Sequence, residues 1–443
     1  MKFLHNATII TAEKEAVGSI LIKDGKIDTL IYKEEDTYIY KVMEILKSKP
    51  EVLELEGKYV MAGGIDAHVH FREPGLTHKA DMETESRAAA AGGVTYVIDM
   101  PNTNPVTTTA EALKEKIELA KGRTTGKIAF HIGATNSNAA EICRILAEGD
   151  AETGISADDI AGVKVFMGSS TGNMLVDDRS TLDELFAIKG KPVLVHCEDE
   201  AIIKANMAAA VEKYGEDIPF TEHENIRSRF ACIKSSIKAL EMAMKHSTQL
   251  VLCHISTKEE MEMVRAAKLN NPDIVAETSC NYLWFSNEDY SRMGSRVKCN
   301  PSVKTADDRE ALRRGLTEGI IDTIGSDHAP HLLSEKDAKY GKAPSGLPTI
   351  QQSLPVLLTI AAQEEIPLTR IASVFSEKAS EIYKLNTGKI AEGYAADLVI
   401  FDKEKEFTVK AEDQHTKCGW SPYEGETLKG VIEIVLVDGE SVL

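Results

Sequence analysis

The stretch 64-GIDAHVHFREPG-75 decides the architecture, because it combines an apolar, strand-like run with two histidines at alternate positions. Side chains two residues apart on a β-strand project to the same side, so His68 and His70 are expected to face one site. A His-x-His pair on a strand is either a pair of metal ligands or part of the core packing. The rest of the chain has to decide between these two interpretations.

Seven further apolar runs resemble the first and alternate with longer segments rich in helix-forming residues. This alternation is typical of βα units around a parallel sheet. The eight runs lie at residues 65–71, 94–100, 128–132, 162–167, 192–196, 250–254, 274–278 and 321–326. Amphipathic segments at residues 110–121, 226–245 and 258–269 are predicted to be helices on the outside. The pattern predicts an α/β fold, a (β/α)8 barrel of the TIM type.

Both ends of the chain carry a different pattern, in which short strands are joined by tight turns. Asp24 and Gly25 separate two apolar runs, which predicts a β-hairpin. Similar runs recur at residues 397–401 and 431–437, so we expect the termini to pair into one small β-sandwich domain. The predicted organisation assigns residues 1–57 and 386–443 to this domain and residues 58–385 to the barrel.

The charge balance restricts the possible partners. The 443 residues include 51 Lys plus Arg and 70 Asp plus Glu, a net charge of −19. Such a surplus repels nucleic acids and anionic membranes, whereas a small anionic substrate would need a locally placed cation. Seven cysteines without a Cys-x-x-Cys pair argue against a disulfide framework, and no segment has the length and apolarity of an export signal or membrane anchor. We therefore predict a cytoplasmic protein.

Chemically distinctive residues stand in or at the ends of four later runs. They are Lys164, His196, His254 and Asp327. Each strand-end residue alone could be a core residue, but in a β/α barrel the carboxyl ends of the strands form the active-site face. Together with the histidines of the first run they favour metal binding. The nearby stretch 168-GSSTGN-173 lacks the Lys-Ser/Thr ending of a phosphate loop, and we interpret it as a mobile active-site loop.

Three segments resemble the binuclear-metal amidohydrolase superfamily and, within it, the dihydroorotase family. They read GIDAHVHFREPG at 64–75, DMPNTNP at 99–105 and SDHAPH at 326–331, and the resemblance covers nearly the whole chain. It implies a zinc-dependent hydrolase in which a metal-activated hydroxide attacks a cyclic amide. The implied reaction converts L-dihydroorotate reversibly to N-carbamoyl-L-aspartate in de novo pyrimidine biosynthesis. Homodimers and tetramers are common in this family, so a homo-oligomer is expected.

The resemblance also implies a metal centre with two Zn²⁺ ions per subunit. One metal would be held by His68, His70 and Asp327, and the other by His196 and His254. Lys164 would be N-carboxylated to a carbamate that bridges both metals. A free ammonium at this position would repel both ions, whereas the carbamate supplies negative charge. Asp327 would also act as the catalytic residue, first as general base and then as general acid.

A substrate carboxylate would be bound beside this centre. Arg72 is two residues beyond His70 and is expected to point toward the same side, where its fork suits a carboxylate. The resemblance adds Asn102 and His331 to the carboxylate-binding set and makes Asn300 a further substrate contact. The alternative for Arg72 is an ion pair at the rim of the barrel.

Other segments depart from the family pattern. These are ETSCNY at 277–282, NPSVK at 300–304 and GLPT at 346–349, all in regions that determine substrate identity. These departures keep open an allantoinase or hydantoinase acting on related cyclic amides. A further alternative, from a different class, is an inactive amidohydrolase-like scaffold protein, as pseudo-enzymes of this superfamily are. The scaffold is disfavoured because such proteins usually lose metal ligands, and all six are present here.

Overall fold

The computed structural model describes residues 1–168 and 174–443, so most of the loop expected at 168–173 lies outside the described residues. In chain order the strands are β1 (Lys2–Ile10), β2 (Glu15–Lys23), β3 (Lys26–Tyr32), β4 (Glu51–Glu54), β5 (Tyr59–Ala62), β6 (Gly64–Val69), β7 (Val94–Asp99), β8 (Lys127–Phe130), β9 (Ile132–Gly133), β10 (Val163–Phe166), β11 (Val193–His196), β12 (Leu250–Leu252), β13 (Ile274–Thr278), β14 (Thr323–Ile324), β15 (Leu398–Thr408), β16 (Thr427–Val437) and β17 (Glu440–Ser441).

The α-helices lie mainly between the barrel strands. In chain order they are α1 (Tyr38–Lys47), α2 (Met82–Ala91), α3 (Ala110–Ala120), α4 (Ala139–Glu148), α5 (Arg179–Phe186), α6 (Glu200–Tyr214), α7 (His223–Ile226), α8 (Arg229–His246), α9 (Lys258–Lys268), α10 (Cys280–Trp284), α11 (Asp289–Met293), α12 (Ala306–Thr317), α13 (Leu333–Lys336), α14 (Ser353–Gln363), α15 (Leu368–Ala372) and α16 (Lys378–Ile382). In the part of the chain that is described, no helix is long and apolar enough to cross a membrane.

The central strands form two parallel sheets that continue each other around the barrel. One has the order β6-β7-β8 and the other runs from β9 through β10, β11, β12 and β13 to β14. A single parallel bridge between Val69 and His328 links the first strand to the segment after the last. Strands β6, β10, β11 and β13 are buried along their whole length, as expected where the barrel interior covers one face and helices cover the other. The predicted (β/α)8 fold class is confirmed.

Two details differ from the prediction. The third strand, expected at residues 128–132, is interrupted at His131, so that β8 pairs with β7 and β9 pairs with β10. The long helix expected at residues 226–245 begins at Arg229 and is preceded by the short helix α7. Both differences arise where a side chain makes a long-range contact.

Strands from both termini form one hydrogen-bonded sheet. Its order is β17-β16-β15-β5-β1-β2-β3, with β4 paired to β1, and the antiparallel pair β15–β5 joins the two ends of the chain. The predicted hairpin is confirmed between β2 and β3, where Asp24 and Gly25 have φ values of 49° and 76°, as a tight primed turn requires. Apolar side chains such as Leu4, Ile20 and Leu398 form the core of this sheet. The domain boundaries at residues 57/58 and 385/386 stay a prediction.

Candidate metal centre and substrate pocket

One cavity of about 280 Å³ opens at the carboxyl ends of the barrel strands, and every site residue predicted from the sequence lines it. These residues are His68, His70, Arg72, Asn102, Lys164, His196, His254, Asn300, Asp327 and His331. The remaining lining comes from Phe166, Ala329, Pro344, Ser345 and Gly346. The carboxyl end of a β/α barrel is the usual location of an active site.

Three of these residues have left-handed backbone conformations at or just beyond strand ends. Arg72, His254 and Asp327 have φ values of 68°, 38° and 49°. Side chains other than glycine rarely adopt this region, and such conformations persist only where surrounding contacts enforce them. The surrounding fold therefore holds these three residues in strained backbone conformations, and their side chains line the cavity.

Imidazole lone pairs and a carboxylate oxygen converge at the floor of the cavity. His70 donates through Nδ1 to Asn102 Oδ1 at 2.7 Å, and His68 donates through Nδ1 to Glu277 Oε1 at 2.6 Å. A ring that donates through Nδ1 and carries no second proton presents the lone pair of its Nε2. These Nε2 atoms lie 3.1 Å and 3.6 Å from Asp327 Oδ1. Three acceptors at such short distances repel one another unless a cation lies between them.

The other two histidines lie next to this group. His196 Nδ1 is 3.0 Å from His254 Nε2, and the ring centroids of His254 and His68 are 5.2 Å apart. Burial lowers the pKa of His68 and His254 well below the usual histidine value and also lowers that of His196. Neutral imidazole is the form that binds metal ions. Within the described residues, the buried Nδ1 of His254 has no hydrogen-bond partner.

Asp327 is the acidic member of the cluster. Burial raises the pKa of Asp327, but its contacts with the side chains of His70, His68 and His254 hold it below its usual range. The carboxylate is therefore ionised at neutral pH and available as an anionic ligand.

Lys164 lies fully buried in the middle of β10. Its Nζ is 3.2 Å from Cys253 Sγ and 5.2 Å from the centroid of the Phe166 ring, and neither contact supplies a negative charge. A buried ammonium is unfavourable unless it is paired or neutralised. The donor set of neutral imidazoles, one carboxylate and a lysine that needs neutralisation fits a centre for two divalent cations.

Arg72 and His331 form another part of the cavity lining, and the tautomer of His331 decides what Arg72 can bind. Lys79 can only donate, so its Nζ, 3.1 Å from His331 Nδ1, makes that nitrogen the acceptor. The proton of the ring is then on Nε2, which donates to the Ser345 carbonyl at 3.1 Å. Burial, together with Arg72 and Lys79, lowers the pKa of His331 far below its usual range, so the ring is neutral.

Consequently, Arg72 meets a donor rather than an acceptor at His331. Its terminal NH2 nitrogen is 3.0 Å from the protonated Nε2 of His331, while its Nε donates to the Pro330 carbonyl at 3.1 Å. Two donors at this distance attract an acceptor that can be shared between them. The buried Oδ1 of Asn300, also on this cavity, has no hydrogen-bond partner among the described residues. The two donors suit an anionic group of a ligand, whereas the amide oxygen of Asn300 suits an N–H of the ligand.

Two buried acids behind the histidines were not predicted as site residues. Glu277 accepts from His68, and burial raises the pKa of its carboxyl to about 7. Glu198 Oε2 lies 3.1 Å from His196 Nε2 and forms a buried ion pair with Arg227. A signal was present for Glu198, because it follows His196 by two residues and so extends toward the same side.

Replacing Glu277 with glutamine is expected to weaken metal binding by about 10- to 100-fold, the usual effect of removing a partner that orients a histidine ligand. The change leaves the volume almost unchanged but removes the carboxylate that holds His68 in its tautomer. Metal retention during dialysis against a graded series of chelator concentrations would measure the effect. Glu259→Gln, at an exposed acid on α9, is the matched control. Equal retention in both variants would contradict an orienting role.

Comparison with known proteins gives consistent results. Residues 59–442 match the amidohydrolase family. A curated dihydroorotase of Methanosarcina acetivorans is 33% identical over 92% of this chain and 85% of its own length. A dihydroorotase of Clostridioides difficile is 30% identical over 96% of this chain and 99% of its own. The solved L-hydantoinase (dihydropyrimidinase) of Arthrobacter aurescens superposes with a TM-score of 0.88 at 26% identity, covering 99% of this chain and 95% of that chain.

Proposed function

The chain belongs to the amidohydrolase family, and on that premise we propose that it is a dihydroorotase. It would convert L-dihydroorotate and N-carbamoyl-L-aspartate into each other, the ring-closing and ring-opening step of de novo pyrimidine biosynthesis. Curated dihydroorotases from archaea and bacteria, identical to it at 30% and 33% over more than nine-tenths of the chain, support this proposal.

The observation that carries the choice of substrate is the paired donors of Arg72 and His331. A ring with a carboxylate can place its oxygen between these two donors, with the NH2 nitrogen and Nε2 3.0 Å apart. Asn300 offers a further polar atom at the same cavity. A carboxylate-free ring would leave the terminal NH2 donor of the buried Arg72 without an anionic acceptor, which costs binding energy.

We propose that two zinc ions occupy the centre, one held by His68, His70 and Asp327 and the other by His196 and His254. The neutral amine of Lys164 would react with CO2, forming an N–C bond and releasing one proton, and the resulting carbamate would help to hold both ions. When bound, the metal supplies a Lewis acid for the scissile carbonyl and lowers the pKa of the attacking water. The lowered pKa values of His68 and His254 and the buried carboxylate of Asp327 support this assignment.

The protein side chains orient the substrate, transfer the proton and hold the histidine tautomers. Arg72 and His331 hold the carboxylate and so fix the orientation of the ring. Asp327, next to both histidines of β6, takes a proton from the attacking water and delivers it to the departing ring nitrogen. Asn102 and Glu277 keep the imidazoles of His70 and His68 in the tautomers that present Nε2 to the cavity.

A hydantoinase-type activity is the second candidate. The likeness to the Arthrobacter aurescens L-hydantoinase favours it, as do the departures from the dihydroorotase pattern at 277–282, 300–304 and 346–349. An inactive scaffold is less favoured, since all six predicted metal ligands line one cavity. We also propose a homo-oligomer in the cytoplasm, where the seven cysteines would remain the free thiols that the structure has.

The deciding experiment compares ring opening of L-dihydroorotate, allantoin and unsubstituted hydantoin by the zinc-loaded protein under identical conditions. We expect turnover of L-dihydroorotate to exceed that of the carboxylate-free rings by about 100-fold or more, because only this ring engages the charged donors. Preference for the carboxylate-free rings would instead identify a hydantoinase or allantoinase. No turnover of any of the three substrates, with both metals bound, would favour the inactive scaffold protein.

A further inference from the structure

Two lysines lie buried behind the wall of the cavity and bind main-chain carbonyls. Lys336 Nζ donates to the carbonyls of Lys298, Pro344 and Gly346 at 3.1, 2.9 and 3.0 Å. Lys298 Nζ donates to the carbonyls of Tyr340 and Ala343 at 2.8 and 2.6 Å. Neither side chain lines the cavity itself. Their targets all belong to the segment 340–346 or to Lys298.

The contacts of Lys336 match the capacity of a charged ammonium group. An ammonium has three N–H donors, and three carbonyls accept them, whereas a neutral amine would point a lone pair at a carbonyl oxygen. Burial opposes this charge: it lowers the pKa of Lys336 to about 7 and that of Lys298 to about 8. An apolar side chain would avoid this cost, so the two lysines are explained only by what their donors hold in place.

The segment they hold forms part of the substrate wall. Pro344, Ser345 and Gly346 line the cavity, and Ser345 supplies the carbonyl that accepts the proton of His331 Nε2. Gly346 has a φ of 135°, and a Cβ there would lie 2.6 Å from the Ala329 carbonyl and 3.0 Å from the His331 ring. The segment therefore packs directly on His331, and there is no room for a side chain at Gly346.

The same two lysines connect this segment to a second part of the wall. The carbonyl of Lys298 accepts from both Lys336 Nζ and the backbone N–H of Gly346, the latter at 3.0 Å. Asn300 follows Lys298 by two residues and lines the cavity. Displacement of either lysine would thus move Ser345 and the segment that carries Asn300 together.

We propose that Lys298 and Lys336 are positioning residues that clamp segment 340–346 and thereby set the substrate-binding wall formed by Ser345, His331 and Arg72. With the Ser345 carbonyl in place, His331 carries its proton on Nε2, and the donor of Arg72 remains available for an anionic group. Without the clamp, the Ser345 carbonyl no longer accepts from His331 Nε2, so the positions of His331 and Arg72 are no longer fixed and the wall loses its complementarity to a carboxylate. This inference rests on the proposed function only for the identity of the substrate.

The first test is the substitution Lys336→Met, which keeps the length of the side chain and removes its donors. We expect KM for L-dihydroorotate to rise by about 10-fold or more while kcat changes by less than about 3-fold, because binding geometry is lost and the metal ligands are untouched. Bound metal should remain at the wild-type level. Lys342→Met, at an exposed lysine of the same segment, is the matched control and should match the wild type.

The second test does not depend on the identity of the substrate. Hydrogen exchange followed by mass spectrometry should show faster exchange in peptides covering residues 340–347 of the Lys336→Met protein, with the barrel strands unchanged. Lys298→Met should produce the same pattern and serves as the test if the Lys336 variant does not fold. If the wild-type protein lacks activity on L-dihydroorotate, the proposed function fails and the exchange measurement still tests the clamp. Wild-type exchange and wild-type KM in a folded variant would overturn the proposal.

Discussion

The variant Lys164→Ala is expected to lose bound metal and catalytic activity together. The wild-type Nζ lies fully buried among imidazoles, beside Cys253 Sγ and the ring of Phe166, where an uncompensated positive charge is unfavourable. As a carbamate, the same side chain would add negative charge to a cavity whose described lining includes Asp327 as its one carboxylate, beside the histidines. Its removal should reduce kcat/KM by about 10³-fold or more, because the contribution of the metal to catalysis is worth several kcal/mol.

The measurement is metal content per chain, determined by mass spectrometry of the ions, together with kcat/KM on the substrate identified above. A small carboxylic acid that enters the space left by the side chain should partly restore both quantities, since it replaces the lost anionic ligand. Lys189→Ala, at an exposed lysine that binds the carbonyl of Ser247, is the control and should keep its metal. Retained metal with full turnover in Lys164→Ala would exclude the carbamate assignment.

The barrel could be predicted because its strands leave an unambiguous pattern in the sequence. Strands buried on both faces read as continuous apolar runs, and β10, β11 and β13 are each buried along their whole length. Against this background, a polar residue such as Lys164 or His196 is conspicuous, so the site residues could be recognised from the same pattern. Their convergence on one cavity follows from the parallel arrangement, which brings the carboxyl ends of all strands to one face.

The interruptions of the pattern could not be predicted, because each depends on a partner far away in the chain. His131 breaks the third strand where its Nε2 donates to the carbonyl of Ala67, a residue of β6. The helix expected from residue 226 begins later because Arg227 pairs with Glu198 and its carbonyl accepts from Ser302 Oγ at 2.8 Å. Local propensity favours continuation at both places, and tertiary contacts override it.

The supporting residues of the site were missed for the same physical reason. Glu277 and His68 are more than 200 positions apart, and nothing in the neighbourhood of Glu277 indicates that it faces a histidine. Lys298 and Lys336 are buried by carbonyl contacts with a loop that has no regular structure. Sequence patterns report burial and periodicity, whereas the choice of a hydrogen-bond partner depends on the register of distant segments.

The variant Arg72→Met is expected to separate substrate recognition from metal binding. In the wild type, Arg72 is held by the Pro330 carbonyl through Nε, and its NH2 nitrogen faces the protonated Nε2 of His331. Methionine retains the apolar stem and removes the charged donors. The loss of a charge-assisted contact should lower kcat/KM for L-dihydroorotate by about 100-fold, equivalent to about 3 kcal/mol, with metal content unchanged.

The controls for this variant are a second substrate and a second variant. A carboxylate-free hydantoin makes no use of the Arg72 fork, so any residual turnover of this ring should be similar in the wild type and in Arg72→Met. Arg87→Met, at an exposed arginine on α2, should leave both substrates unaffected. Equal losses on both rings would mean that Arg72 supports the architecture of the cavity, and unchanged turnover of L-dihydroorotate would favour the hydantoinase alternative. Only a selective loss on the carboxylated ring ties the donor pair of Arg72 and His331 to the identity of the substrate.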